Sequence, residues 1–111
     1  MIAHIVLLQP RPDLTDDERR AALDALSRAA AGVPEIRSFR LGRRVKHGLP
    51  GYEQMMMQDY EVALIIEVDD VAALTRYLNA PAHHALGHLF STATSAALAY
   101  DYDMSALRIE D

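Results

Sequence analysis

Three side chains in this sequence have the chemistry for proton transfer in an apolar setting. They are His4 in Ala3-His4-Ile5-Val6-Leu7-Leu8, and Tyr77 and His83 in Tyr77-Leu78-Asn79-Ala80-Pro81-Ala82-His83. An imidazole, with an unperturbed pKa of about 6.5, can take a proton at neutral pH. A phenol can donate a hydrogen bond to an oxygen on which negative charge develops. With His83 as base and Tyr77 as oxyanion donor, a carbonyl compound could be enolised, with His4 as a positioning group. Each residue also has a plainer account. His83 could satisfy backbone groups at a helix start. Tyr77 falls in an apolar helical stripe where its ring would pack. A lone histidine among strand hydrophobes is commonly a hydrogen-bonded core residue. Pro81 separates Tyr77 from His83, so spacing alone does not bring the two together.

The remaining polar clusters point to less. His84 and His88 have the i, i+4 spacing of two zinc ligands on a helix. They lack the adjacent glutamate and a third ligand and fall on a polar helix side, so solvated surface is expected and no metal. Arg37, Arg40, Arg43, Arg44 and Lys46 could draw an anionic ligand. Their parity splits them between both faces of a strand, which predicts a solvated strand end or interface ion pairs. Met55-Met56-Met57 suits either a flexible apolar lid or a dimer contact.

These groups must be held by a single small domain. Of the 111 residues 50% are apolar and 24% charged, an ordinary globular balance. The formal net charge of −5 argues against nucleic-acid binding, which wants a basic face. Without cysteine there is no disulfide, thiol catalysis or cysteine-based zinc site. No segment approaches the roughly 18 apolar residues of a membrane span. Met1–Leu8 has neither a basic leader nor a small-residue cleavage site, so the chain is expected to be cytoplasmic.

Ile2 to Leu8 reads as a strand covered on both faces. Thr15-Asp16-Asp17-Glu18 is a capping box opening a helix with Ala22, Leu23, Leu26, Ala29 and Ala30 inward. Gly32 would end it in a left-handed cap and Pro34 would block its continuation. Ile36 to Lys46 is predicted as a strand with Phe39, Leu41 and Val45 on one face. A long loop, His47 to Gln58, leads to a second strand over Asp59 to Val68. Asp69 or Asp70 caps a helix with Val71, Leu74, Tyr77 and Leu78 on one face. Pro81 opens the next helix, whose stripe is Leu86, Leu89, Phe90 and Ala93, with His83 at its edge. Ala97 to Tyr102 is the last strand. The order β-α-β, then β-α-α-β, predicts an α+β, ferredoxin-like four-stranded antiparallel sheet with helices on one face. The other face, also apolar, predicts a partner, most simply a second copy.

Taken in order, several segments resemble the stress-responsive dimeric α/β-barrel (Dabb) family over about residues 1–103. They are Ile2 to Leu7, Val33 to Phe39 leading to Gly42, Tyr60 to Asp70 ending in Asp-Asp, Tyr77 to His83 with its Pro-Ala-His, and Tyr100-Asp101-Tyr102. A more distant likeness is to the olivetolic acid cyclases of plants. The resemblance implies a protomer whose sheet packs on a partner's sheet to form a dimeric barrel. In the plant cyclase a tyrosine and a histidine close a linear polyketide by an aldol-type condensation, without cofactor or metal. Tyr77 and His83 match those two positions, and His4 matches its first-strand histidine. Val62 stands where the cyclase has another pocket histidine.

The expected protein is thus one Dabb domain over residues 1–111, with a core at 1–103 and a tail at 104–111. It is expected to form a homodimer and to bind a small apolar carbonyl compound between sheet and helices. His83 and Tyr77 are the candidate catalytic residues, and His4, Leu86 and Phe90 the candidate ligand-binding ones. No cofactor is expected. The alternative is a non-enzymatic stress-responsive oligomer in which the same histidines are structural.

Overall fold

A computed structural model describes residues 1–107; the end of the predicted tail, 108–111, lies outside the described residues. Four strands, β1 (Ile2–Pro10), β2 (Ile36–Arg43), β3 (Val62–Val68) and β4 (Thr94–Asp103), and three helices, α1 (Asp16–Gly32), α2 (Val71–Asn79) and α3 (Pro81–Ala93), follow in the order β1-α1-β2-β3-α2-α3-β4. The strands form one sheet in the order β2-β3-β1-β4, antiparallel at every pairing. This is the ferredoxin-like arrangement that the element order predicts.

Period-two alternation sorts the sheet into two faces, because directly opposed residues share a face. On one face His4 lies opposite Ile66 and Asp101, and Val6 lies opposite Leu64 and Ala99. This face carries the helices. Leu26 and Ala29 of α1, Leu74 and Tyr77 of α2, and Leu86 of α3 close over Val6, Leu8, Leu64, Ile66 and Val68 to make the core. On the other face Ile5 lies between Ile65 and Tyr100. No helix covers it, and Tyr100 and Tyr102 stay 58% and 51% exposed. The protein is therefore two layers thick, with Cα extents of 45 × 41 × 17 Å. No helix among the described residues is long and apolar enough to cross a membrane.

Local chemistry sets the helix starts. The Thr15 hydroxyl accepts from the Glu18 amide at 3.1 Å while the Glu18 carboxylate accepts from the Thr15 amide at 3.0 Å, closing the capping box. Asp70 caps α2 by accepting from the Ala73 amide at 2.8 Å.

Several details differ from the sequence expectation: β1 runs on to Pro10, β4 starts three residues earlier at Thr94, and Leu23 is 46% exposed rather than inward. Gly32 remains in α1 with φ below zero, and the helix ends through an extended Val33, since Pro34 already forbids continuation. β2 stops at Arg43, the last residue registered against β3, so Val45 is 75% exposed rather than part of the Phe39–Leu41 face. β3 begins at Val62, because Asp59 turns outward to pair with Arg44 and Lys46. Val71, the first residue of α2, precedes the first inward turn and is 63% exposed. The loop between β2 and β3 holds a single 3-10 turn, Glu53–Met55, with Gly48 and Gly51 at positive φ.

Burial separates two superficially similar aliphatic positions. Leu64→Ala, at a fully buried site, should cost about 2–5 kcal/mol in urea unfolding. Val71→Ala should stay within about 0.5 kcal/mol of wild type.

Candidate functional site

Pro81 builds the corner on which the site depends. A residue before proline is pushed out of the helical region, and Ala80 is extended at φ −69°, ψ 144°, ending α2 and starting α3 at once. The corner is pinned by two backbone bonds of 3.0 Å, in which the Ala80 amide donates to the Tyr77 carbonyl and the His83 amide donates to the Ala80 carbonyl. Tyr77, in the last turn of α2, and His83, in the first turn of α3, then turn to each other across the bend. Their ring centroids are 5.0 Å apart with planes at 71°.

His4 closes the group from the sheet. Its ring lies edge-on to Tyr77 at 5.8 Å and to His83 at 6.1 Å. Three residues far apart in sequence thus share one point between β1, α2 and α3. His4 and Tyr77 are 5% and 1% exposed, whereas His83 is half-buried.

A buried imidazole needs a partner, and Asp101 of β4 provides it. His4 Nδ1 lies 2.6 Å from Asp101 Oδ1, across the directly opposed positions of β1 and β4. A carboxylate only accepts, so His4 Nδ1 carries the hydrogen of this bond. Sequence reasoning noted Asp101 only as part of Tyr100-Asp101-Tyr102. The available signal was alternation: Asp101 shares parity with Ala97 and Ala99, which places a carboxylate on the inward face of a strand.

Burial tunes the other two groups in complementary directions. It pushes the Tyr77 phenol up to about 12, so the hydroxyl keeps its proton at neutral pH. It also holds His83 below the usual histidine value, helped by the neighbouring His4 and His84 rings and opposed by the Leu78 backbone and Asp101. At neutral pH the group is a neutral imidazole base beside a protonated phenol. That pairing suits removal of a proton next to a carbonyl whose oxygen takes the phenol's hydrogen bond.

The two apolar candidates are placed differently. Leu86, 2% exposed, is part of the core one turn along α3 from His83. Phe90, one turn further, borders a cleft of about 280 Å³ whose lining includes Leu8 and Leu26 but none of His4, Tyr77 and His83. Val6 and Leu86 lie between the cluster and the cleft along β1 and α3.

His84 and His88 are exposed. Among the described residues, no three His, Asp or Glu side chains are grouped to hold a metal ion. Most of the basic cluster is engaged in ion pairs. Arg37 holds Asp69 through two bonds of 3.0 and 2.8 Å, Arg40 reaches Glu67 at 3.7 Å, and Arg44 and Lys46 share Asp59. Met56 and Met57 border a shallow cleft against Leu7, Gly42 and Ala63 on the uncovered sheet face.

The model of the family described as Stress responsive A/B Barrel Domain (Dabb) matches residues 2–104. No curated protein matches the chain. Among solved structures, a Dabb family protein with a ferredoxin-like fold from Mesorhizobium loti is 21% identical, with a TM-score of 0.73 over 95% of this chain and 97% of that one. A hydroxynitrile lyase from Passiflora edulis is 13% identical, with a TM-score of 0.82 over 97% and 96%. A dimeric ferredoxin-like protein of unknown function from Thermobifida fusca is 20% identical, with a TM-score of 0.72 over 93% and 90%. At these identities the likeness establishes the fold.

The depressed His83 pKa has a thermodynamic consequence. Between that value and the unfolded value of 6.5 the unfolded chain binds more protons, so stability rises with pH across the window and the penalty is complete below it. Urea midpoints of the wild type should therefore climb from about pH 5 to about pH 7.5. His83→Gln should flatten that climb.

Proposed function

The chain belongs to the stress responsive A/B barrel domain family, and we propose that it works as a cytoplasmic homodimer. In this reading it binds a small, largely apolar carbonyl compound and moves protons on it through His83 and Tyr77. The observation that carries the reading is the convergence of His4, Tyr77 and His83 at 5.0–6.1 Å, with Asp101 holding the first of them.

His83 takes a proton from the carbon beside the carbonyl, and Tyr77 donates a hydrogen bond to the oxygen that becomes an enolate. The enolate carbon attacks a second carbonyl of the same molecule, forming a carbon–carbon bond. The His83 imidazolium then returns its proton to the new alkoxide. Run the other way, the base removes a hydroxyl proton and the carbon–carbon bond breaks, so polyketide-type aldol closure and lyase chemistry need the same groups. The similar fold of a hydroxynitrile lyase supports that chemical range. His4, anchored by Asp101, is the positioning group, its ring edge-on to those of Tyr77 and His83. The near-complete burial of His4 and Tyr77 favours a second reading, a structural polar cluster in a non-enzymatic oligomer.

The dimer reading rests on the uncovered sheet face, where Ile5, Ile65 and Tyr100 form one cross-strand row. The solved structures described as dimeric ferredoxin-like proteins add support.

Two assays test the reading. With an aromatic hydroxynitrile and a linear polyketide analogue as probes, His83→Ala should lower kcat by about a hundred- to ten-thousand-fold. Tyr77→Phe should lower it by about a hundred- to a thousand-fold, with circular dichroism unchanged. An inert wild type whose His83→Ala variant only loses stability, by about 1–3 kcal/mol, would favour the structural reading. By light scattering the wild type should be a dimer and Ile65→Asp a monomer; a monomeric wild type would contradict the sheet-to-sheet contact.

A further inference from the structure

Met55, Met56 and Met57 take no part in the acid–base cluster, and they stand in water at 69%, 58% and 104% exposure. Three bare thioethers in a row form a patch rather than scattered single side chains. The loop that carries them is pinned. Arg44 and Lys46 before it both pair with Asp59 after it, and the Arg44 amide donates to the Glu61 carbonyl at 2.8 Å. Within the loop the Glu53 carboxylate accepts from the Gly48 amide. The Met55 and Met56 amides donate to the Tyr52 and Glu53 carbonyls at 2.9 and 3.2 Å.

This backbone holds the thioethers at one end of the uncovered sheet face. Met56 and Met57 border a shallow cleft of about 560 Å³ together with Leu7, Gly42 and Ala63, whereas Met55 does not. Gly42, Ala63, Leu7 and Leu98 make one cross-strand row, two residues along from the row of Arg40, Ile65, Ile5 and Tyr100. The floor is low because Gly42 and Ala63 are small; a Cβ at Gly42 would meet nothing within 4 Å. A second sheet laid on Ile5, Ile65 and Tyr100 therefore extends over the same floor and meets Met56 and Met57.

That position couples their chemistry to assembly. A thioether sulfur attacks the O–O bond of a peroxide. The S–O bond forms as the O–O bond breaks, the sulfur gives up an electron pair, and hydrogen peroxide leaves as water. The product is a polar sulfoxide on what was an apolar side chain. A sulfoxide facing solvent costs nothing, but one enclosed between two sheets loses its water without gaining a partner. The modification therefore favours the separate protomer, in which both sulfurs are open, over the dimer that covers them.

We propose that Met56 and Met57 are a peroxide-responsive modification site, and that their conversion to sulfoxides opens the homodimer. The proposal rests on the sheet-to-sheet dimer and is independent of any turnover at His83 and Tyr77.

Sedimentation of the full chain across a dilution series, before and after hydrogen peroxide, tests this alongside mass mapping of the sulfoxides. The untreated wild type should be a dimer. Peroxide should place oxygen on Met56 and Met57 and raise the dimer dissociation constant about tenfold or more, with circular dichroism unchanged. Methionine sulfoxide reductase should reverse the effect. Met56→Leu/Met57→Leu keeps the apolar volume without sulfur. It should stay dimeric after the same treatment, although Met1, Met55 and Met104 still oxidise. Met55→Leu should respond as the wild type does. A monomeric wild type before treatment would overturn the sheet-to-sheet reading and this proposal with it. A dimer that holds its dissociation constant with Met56 and Met57 oxidised, or in which those two sulfurs resist peroxide, would overturn this proposal alone. So would a double leucine variant that comes apart as the wild type does.

Discussion

An imidazole taken out of water inside a sheet must keep a partner for its N–H, because an unpaired buried polar group costs more than the bond is worth when made. Here the β1–β4 register meets that demand. It sets His4 opposite Asp101, and a 2.6 Å contact satisfies Nδ1. A slip of one residue would turn either side chain to the other face and leave the histidine stranded in the core. Sheet register and site geometry are in this sense one constraint.

The second constraint comes from the helices. Leu74, Tyr77 and Leu86 are all nearly fully buried against the same sheet face, so α2 and α3 have little freedom to move apart. Ala80 and Pro81 convert that packing into a sharp bend, and the bend faces Tyr77 toward His83. The same burial that holds the fold also strips water from the pair. It raises the phenol and lowers the imidazole, so the acid stays protonated and the base unprotonated near neutrality. Packing and acid–base tuning come from the same contacts.

Much of this is legible in the amino-acid sequence. Thr15 with Glu18, Asp70 before Val71, and Pro81 carry local chemistry that acts within a few residues, and the helices start where those signals lie. The four-stranded antiparallel, ferredoxin-like arrangement follows from the order of the elements. What escaped the sequence was non-local. Asp101 becomes a partner of His4 only through pairing of strands 97 positions apart. The meeting of Tyr77 and His83 depends on the angle of a bend, which residue spacing does not encode. Gly32 stays in α1 because a glycine permits a left-handed cap without requiring one. Val45 and Val71 are exposed because periodicity carries on past the end of an element, whereas burial stops where the neighbouring strand or helix stops.

The most direct test of the account is the state of the two imidazoles, read by nitrogen-15 NMR of the ring nitrogens across a pH titration. The expected result is a hydrogen on His4 Nδ1, bonded to Asp101, and a His83 that titrates below 6.5. A His4 Nδ1 without a hydrogen, or a His83 that titrates at or above the value of a free histidine, would contradict this arrangement.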